Sequence, residues 1–288
     1  MDRLRIKEIL ALIRVKHYIK NLLIFGPLFF GGELFDFNRL IRCVIGFFAF
    51  SFLSSVIYIF NDYMDLEKDR LHPYKKERPL ASGRVSKLQA LIIGIILAVC
   101  LLSMIFLLSN FKANLLMLLY FIMNIFYSMG LKRIPIIDIV VLASGFIIRV
   151  FYGGFITDIE VSKWLYLVVV TGSLYMGLGK RRNELKRCTG TRDVLEVYNE
   201  AFLDKNMYVC VALADVFYAL WTLEMSNTYI IYTVPFFVVI LMYYSFATEC
   251  DSDGDPIKVI LSNKMLMALI IVYSICLFLL LYILGGRN

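Results

Sequence analysis

Residues 88–108 form the apolar stretch LQALIIGIILAVCLLSMIFLL, which contains no charged side chain. A run of this length can cross the hydrocarbon core of a bilayer as a single α-helix. Similar runs recur along the 288-residue chain, in which 60% of residues are hydrophobic, whereas soluble domains are about 45–50% apolar. The sequence therefore predicts an all-α, polytopic transmembrane helical bundle and excludes an ordinary soluble domain.

The apolar runs predict about nine membrane spans within one membrane domain, 1–288. The predicted spans are 18–34, 40–60, 88–108, 113–129, 135–156, 164–179, 207–224, 228–247 and 264–284. Residues 1–15 are basic with interleaved Leu and Ile, and they lack the apolar core of a signal peptide. We expect this segment to form an amphipathic helix that lies on the membrane surface.

The basic residues are distributed unevenly between the two sides of this predicted topology. Most of the 30 Lys and Arg residues fall on the side that carries the N-terminus, which predicts a cytoplasmic N-terminus in the cell membrane. The long charged loops 61–87, 180–206 and 248–263 lie on the same side, so we expect them to cap an active site that faces the cytoplasm. The net charge of +7 is then expected to meet lipid or an anionic substrate rather than nucleic acid.

The six cysteines show no CxxC pair and no Cys/His metal-binding spacing. We therefore expect neither a disulfide nor a zinc site, and we interpret the cysteines as small buried hydrophobic residues.

The segment 61–69, NDYMDLEKD, follows the second predicted span directly. On a helix its acidic side chains share one face, except for Glu67, which points away. Carboxylates placed so close together repel each other unless a cation lies between them, and hard oxygen ligands suit Mg²⁺. The pattern predicts a Mg²⁺–diphosphate site, although a solvated acidic helix end is the simpler alternative. The predicted metal ligands are Asn61, Asp62, Asp65 and Asp69.

A basic, proline-containing loop follows, with the sequence HPYKKERPLASG at residues 72–83. Lys75 and Arg78 are predicted to bind phosphate oxygens, since arginine in particular can make bidentate contacts with a phosphate. The alternative is that they are ordinary basic residues of a cytoplasmic loop.

The motif NDxxDxxxD followed by HPxKxxRPxxxG, together with YSMGLKR at residues 127–133, resembles the UbiA-type intramembrane prenyltransferase superfamily. The resemblance covers essentially the whole chain. It implies an all-helical bundle with a Mg²⁺–diphosphate site at the cytoplasmic side of a central cavity.

One departure from the family pattern indicates a particular branch. Where the family usually carries a second aspartate-rich motif, this chain has GKRRNEL at residues 179–185, in which several cations precede Glu184 and suit an additional anion. With the segments 16–21, 138–149 and 254–256, this departure resembles the decaprenyl-phosphate phosphoribosyltransferases. That resemblance implies transfer of 5-phosphoribosyl from phosphoribosyl diphosphate to a polyprenyl phosphate lipid, with release of diphosphate and with Mg²⁺ as the cofactor.

The remaining site residues follow from these resemblances and from charges near the predicted inner face. Catalysis is assigned to Asp62, Asp65, Asp69 and Lys132. Substrate binding is assigned to Lys20, Asn21, Asn61, Lys75, Arg78, Tyr127, Arg133, Asp138, Arg149, Lys180, Arg181 and Glu184. Tyr127 is equally interpretable as an interfacial aromatic residue. As a cation of an inner loop, Arg181 is expected to be replaceable by alanine without loss of folding.

Two other functions remain open, as does the formation of a homo-oligomer. The first is a conventional prenyltransferase that moves a prenyl group from a prenyl diphosphate to an aromatic or other small acceptor. The second is a transporter or lipid carrier without chemistry, but the paired half-repeats that such proteins often show are not evident in the sequence.

Overall fold

The computed structural model describes residues 2–186, 193–249 and 255–284, and this part of the chain contains helices and no strand. The α-helices are α1 (Asp2–Leu12), α2 (Gly26–Phe30), α3 (Phe37–Met64), α4 (Leu66–Leu71), α5 (Lys87–Leu108), α6 (Phe111–Met129), α7 (Ile137–Thr157), α8 (Lys163–Lys186), α9 (Glu200–Glu224), α10 (Val234–Glu249), α11 (Pro256–Ser262) and α12 (Lys264–Phe278). Short 3₁₀-helices cover Val15–Phe25, Lys75–Glu77, Leu131–Arg133, Asp193–Glu196 and Thr228–Thr233, and a π-helical turn covers Leu279–Ile283. The predicted all-helical fold class is confirmed.

Polar side chains in the sequence set several of the helix starts. Asp36 accepts hydrogen bonds from the backbone N–H groups of Asn38 and Arg39 at 3.0 and 3.1 Å, and α3 begins at the next residue. Ser86 and Gln89 form a reciprocal capping box at the start of α5. Because the first N–H groups of a helix have no partner within the helix, such caps fix where each long apolar helix begins.

Seven helical segments of the described residues are long and apolar enough to cross a membrane. They are Phe37–Met64, Lys87–Leu108, Phe111–Met129, Ile137–Thr157, Glu200–Glu224, Thr228–Glu249 and Lys264–Ile283. The chain is therefore a multi-pass membrane protein, but the predicted number of nine spans is not confirmed. The two predicted spans that fall outside this set are 18–34 and 164–179.

The predicted span 18–34 consists of the 3₁₀-helix Val15–Phe25 followed by the short α2. Tyr18 and Ser55 form a hydrogen bond of 2.8 Å, and Asn21 Nδ2 donates to Ser51 Oγ, also at 2.8 Å. Since later residues of this segment contact earlier residues of α3, the segment runs antiparallel to α3. It is absent from the set of seven because an 18-residue α-helix is not formed here.

The predicted span 164–179 lies within α8, which continues seven residues further, to Lys186. The added residues carry the charges of the GKRRNEL segment, which lower the apolar content of the helix. Arg182 pairs with Asp204, and Lys186 Nζ lies 3.9 Å from Glu200 Oε2, so α8 packs antiparallel to α9.

The chain forms two compact units. The first contains Met1–Leu28, Leu34–Ser128 and Phe151–Ile159, and the second contains Phe29–Glu33, Met129–Val150 and Glu160–Asn288. In the first unit, one apolar cluster joins α1, the end of α3 and the segment that leads into α5, through Leu12, Ile59, Leu66, Leu80, Ala81, Val85 and Ala90. In the second unit, the core lies between α8, α9, α10 and α12 and includes Val194 and Leu195 of the 3₁₀-helix Asp193–Glu196.

Gly153 of α7 packs closely against the backbone of Ile24. A Cβ atom built at Gly153 would lie 2.0 Å from the carbonyl oxygen of Ile24, whereas one built at Gly172 meets nothing within 4 Å. We expect Gly153→Ala to destabilise the protein by about 1–3 kcal/mol, the usual cost of overpacking, because backbone atoms cannot move aside as a flexible side chain can. Thermal unfolding in detergent would measure this, with Gly172→Ala as the matched control. Equal melting temperatures for the two variants would contradict the close approach.

Candidate active site

The acidic motif lies where α3 passes into α4. The Asp65 N–H donates to the Asn61 carbonyl at 2.9 Å, and the Asp69 N–H donates to the Asp65 carbonyl at 2.8 Å. These bonds continue the helical hydrogen-bond pattern from α3 into α4. Asp62 and Asp69 therefore lie on the same face of the helix, one above the other. Both of these side chains are only 3% exposed, Asp65 is half-buried, and Glu67 points outward into a pairing with Arg70.

Two arginines compensate the buried carboxylates. Arg78 Nη1 donates to Asp62 Oδ1 at 2.9 Å and to Asp69 Oδ2 at 2.6 Å. Arg14 Nη2 donates to the same Asp62 oxygen at 2.6 Å, and its guanidinium lies over the Tyr58 ring, 4.3 Å from the centroid. Because an uncompensated charge is costly to bury, the two guanidinium groups offset the cost of burying the Asp62 and Asp69 side chains.

The arrangement is chemically suited to a divalent cation. Within the described residues no group of three or more His, Cys, Asp or Glu side chains is arranged to hold a metal. Mg²⁺, however, is usually held by only one or two carboxylates together with water and substrate phosphate. Asp62 and Asp69 already converge on one cationic nitrogen atom, that of Arg78, so this pair can share a cation. The role of Asn61, Asp62, Asp65 and Asp69 as metal ligands stays a prediction.

The other predicted site residues of the first unit are placed as follows. Asn61 accepts from Ser128 Oγ at 3.1 Å, and Asn21 is buried in its contact with α3. Lys20, Lys75 and Tyr127 are half-buried.

The loop before Arg78 is shaped by His72. Its Nδ1 accepts from the backbone N–H groups of Tyr74 and Lys75 at 3.1 and 3.3 Å. Burial, and then the nearby Lys75 ammonium, lowers the pKa of His72 below its usual value. A neutral imidazole keeps the lone pair that accepts these bonds, so His72 holds the turn that precedes Arg78.

A separate buried ionic cluster lies in the second unit, around Asp138. Arg181 Nε donates to Asp138 Oδ2, and Arg181 Nη1 donates to Glu184 Oε2 at 2.5 Å. Tyr198 donates its hydroxyl to Asp138 Oδ1 at 2.7 Å and accepts from the Ile136 N–H at 2.6 Å. Burial raises the pKa of Tyr198, so its hydroxyl stays protonated and continues to donate.

This cluster corrects the expectation that Arg181 is a cation of an inner loop that can be removed without loss of folding. Arg181 lies on α8, is 0% exposed, and pairs with two carboxylates. Its side chain is part of the packed interior, whereas its neighbour Lys180 is half-buried. The expectation that alanine would be tolerated at position 181 is therefore inconsistent with the packing.

The remaining predicted residues of the second unit are placed as follows. Lys132 and Arg133 lie on the short 3₁₀-helix Leu131–Arg133, where Lys132 is half-buried and Arg133 exposed. Arg149 is buried and donates to the Gly145 carbonyl of its own helix at 2.5 Å. Asp138 and Arg149 both lie on α7, as the sequence predicted.

Three structural residues were missed by the sequence analysis. Arg14 connects α1 to the 3₁₀-helix Val15–Phe25 in a left-handed conformation with φ of 56°. No neighbouring residue in the sequence predicts this conformation. Tyr198 and Asp204, which pair with Asp138 and Arg182, lie far from their partners along the chain.

In the motif 254–256, Asp255 caps α11. Gly254 of this motif lies outside the described residues, as do the cysteines Cys188 and Cys250.

Comparison with known proteins identifies the family. The UbiA prenyltransferase family matches residues 22–270. The decaprenyl-phosphate phosphoribosyltransferase of Corynebacterium glutamicum is 34% identical over 286 residues, which cover 94% of this chain and 86% of that protein. The enzyme of the same name from Mycobacterium tuberculosis is 32% identical over 271 residues, covering 89% of this chain and 88% of that one.

The solved structures agree on the fold. A UbiA homologue from Archaeoglobus fulgidus bound to GPP and Mg²⁺ superposes with a TM-score of 0.70 at 21% identity, covering 94% of this chain and 99% of that chain. The family match, the long alignments and the shared fold lead to one conclusion: the chain is a transferase that belongs to the UbiA prenyltransferase family.

Proposed function

We propose that the chain transfers 5-phosphoribosyl from phosphoribosyl diphosphate to a polyprenyl phosphate in a Mg²⁺-dependent reaction that releases diphosphate. The observation that carries this proposal is the 34% identity to a protein named decaprenyl-phosphate phosphoribosyltransferase, over 94% of the chain. The replacement of the second acidic motif by GKRRNEL supports the same substrate pair.

The acidic motif is suited to hold the leaving diphosphate. Mg²⁺ bound there would neutralise the negative charge that develops on diphosphate as it leaves. Asp62 and Asp69 are the proposed ligands, with Asp65 and Asn61 at the same helix end. Arg78, which is 30% exposed, and Lys75 lie on the adjoining loop and are proposed to bind phosphate oxygens.

The proposed acceptor needs no general base, because a lipid phosphate is already an anionic nucleophile. Catalysis then consists of holding donor and acceptor in line and of stabilising charge with fixed cations. For the second unit we propose that Lys132, Arg133 and Lys180 are such cations. Asp138, Arg181 and Glu184 are engaged with one another, so we propose that they hold α7 and α8 in place.

The orientation in the membrane forms part of the proposal. We propose that the N-terminus and the segment 61–87 are cytoplasmic, because basic residues concentrate in those segments. Phosphoribosyl diphosphate is a highly charged, water-soluble donor, so it would reach the acidic motif from the cytoplasm.

An acceptor-by-donor assay with the purified protein tests the function. We expect polyprenyl phosphate and labelled phosphoribosyl diphosphate to give a lipid-soluble labelled product, with no product in EDTA and full recovery on addition of Mg²⁺. The control reaction offers prenyl diphosphate with an aromatic acceptor. Transfer in the control reaction but not with phosphoribosyl diphosphate would support conventional prenyl transfer instead, and full activity in EDTA would refute the metal assignment.

A further inference from the structure

Arg78 is the feature of the acidic motif that the proposed function leaves unexplained. A residue that binds a substrate phosphate would be expected to face the substrate, yet a single nitrogen of Arg78 contacts both Asp62 and Asp69, at 2.9 and 2.6 Å. These are the two buried carboxylates proposed to hold the metal. A divalent cation placed between these two carboxylates would be strongly repelled by the Arg78 guanidinium, which contacts both of them.

The two arginines at the motif differ in how firmly they are held. Arg14 stacks on Tyr58, is 22% exposed, and lies at the junction between α1 and the 3₁₀-helix Val15–Phe25. Arg78 is 30% exposed and lies in an extended conformation on the loop between α4 and α5. Arg78 is therefore the arginine that can move away, while Arg14 can remain with Asp62.

The balance of charge at Asp62 and Asp69 favours replacement of the Arg78 guanidinium by the divalent cation. Asp62 and Asp69 are balanced by Arg14 and Arg78 in this structure. Adding a divalent cation while both arginines stay would leave an excess of two positive charges in a partly buried place. If Arg78 leaves, that excess falls to one, and the half-buried Asp65 carboxylate lies at the same helix end to offset it.

We propose that Arg78 is an internal counter-cation that competes with the divalent metal for Asp62 and Asp69, and that metal binding releases its guanidinium from them. The inference rests on the proposed function only through the metal assignment. Its consequence is that the metal alone binds weakly, because it must displace Arg78. The released guanidinium is then free to contact the diphosphate that arrives with the metal.

Direct Mn²⁺ binding, measured by electron paramagnetic resonance on the detergent-solubilised protein without donor or acceptor, tests the proposal. Removal of Arg78 would leave two close carboxylates with one arginine, so we expect Arg78→Gln to bind Mn²⁺ about 10-fold more tightly than the wild type, at the lower end of what a charged hydrogen bond contributes. Arg78→Lys, which keeps the positive charge, should stay close to the wild type. Arg70→Gln is the matched control, since Arg70 lies nearby but pairs with exposed Glu67.

The outcomes separate this proposal from the proposed function, because the measurement needs no substrate. Unchanged or weaker Mn²⁺ binding by Arg78→Gln would overturn the competition, even if the transfer assay succeeds. Equal tightening by Arg78→Lys would also overturn it, since the competing charge is still present in that variant. Failure of the transfer assay with tighter Mn²⁺ binding by Arg78→Gln would instead reject the phosphoribosyl reaction and keep the exchange.

A second measurement needs only the wild-type chain and remains informative if Arg78→Gln does not fold. The backbone around Arg78 is held by the Arg78 N–H to the Lys75 carbonyl at 2.9 Å and by the Ser82 N–H to the Arg78 carbonyl at 2.9 Å. Release of the side chain should loosen these bonds, so we expect faster amide hydrogen exchange in segment 75–85 when Mn²⁺ is added. Unchanged or slower exchange there would contradict the release of Arg78.

Discussion

Replacement of Arg181 by alanine is expected to destabilise the protein more than any other single change considered in the second unit. The guanidinium is fully buried between Asp138 and Glu184. Removing one partner of a buried ion pair leaves an uncompensated charge and costs about 3–5 kcal/mol. At about 2–4 °C per kcal/mol for a chain of this size, the melting temperature should fall by roughly 6–20 °C. Thermal unfolding in detergent measures this directly.

Two further variants distinguish this structural role from substrate binding. Lys180→Ala is the matched control, because the neighbouring cation is half-buried, and it should change the melting temperature far less. Arg181→Met combined with Asp138→Asn removes charge from both sides of the pair, so part of the lost stability should return. If Arg181→Ala melts like the wild type and loses only donor affinity, then Arg181 binds substrate as the sequence predicted.

The membrane helices were predictable because each is encoded by a local run of apolar residues. The span predicted at 88–108 corresponds to α5, Lys87–Leu108, and the helix start is set by the capping box of Ser86. Nothing beyond neighbouring residues is needed for such a prediction, because a bilayer-crossing helix satisfies its own backbone hydrogen bonds.

The segment 15–30 was harder to predict, because its conformation is not determined by its apolar composition alone. Apolar composition indicates that residues prefer the bilayer, but it does not distinguish an α-helix from the 3₁₀-helix Val15–Phe25. That conformation comes with tertiary contacts, in which Ser51 and Ser55 of α3 bind Asn21 and Tyr18. Contacts of this kind join residues more than 25 positions apart, and a single sequence does not reveal them.

The two ionic clusters also differ in whether neighbouring residues or distant residues determine them. The acidic face of 61–69 was predictable, because its spacing of three and four residues places the carboxylates together on one helix. The burial of Arg181 was not, since its partner Asp138 lies 43 residues away and Tyr198 contacts Asp138 from a separate segment. The basic pattern of GKRRNEL was therefore interpreted as part of an inner loop, although its Arg181 side chain is part of the interior.

Replacement of Asp69 by asparagine is expected to cause the largest loss of activity. Asp69 is buried, and its Oδ2 lies 2.6 Å from Arg78 Nη1, the atom that it shares with Asp62. Asparagine keeps the size of the side chain but removes the negative charge that would hold a cation. Since loss of a group around a metal site typically costs 10–100-fold, loss of a proposed direct ligand should lower kcat/KM on the order of 100-fold or more. The transfer assay with phosphoribosyl diphosphate, repeated over a range of Mg²⁺ concentrations, measures the effect.

The loss of activity should follow from removing a buried carboxylate, and removing an exposed carboxylate of the same segment should not cause it. Glu67→Gln is the matched control, because Glu67 lies two residues away but is exposed and pairs with Arg70; its activity should stay close to the wild type. Asp69→Asn should unfold at a temperature much nearer the wild type than Arg181→Ala, since Arg78 is partly exposed and keeps its contact with Asp62. A loss of activity that excess Mg²⁺ partly restores would indicate weakened metal binding, as the ligand role requires. Wild-type activity in Asp69→Asn, or an equal loss in Glu67→Gln, would contradict the assignment of this helix face to the metal.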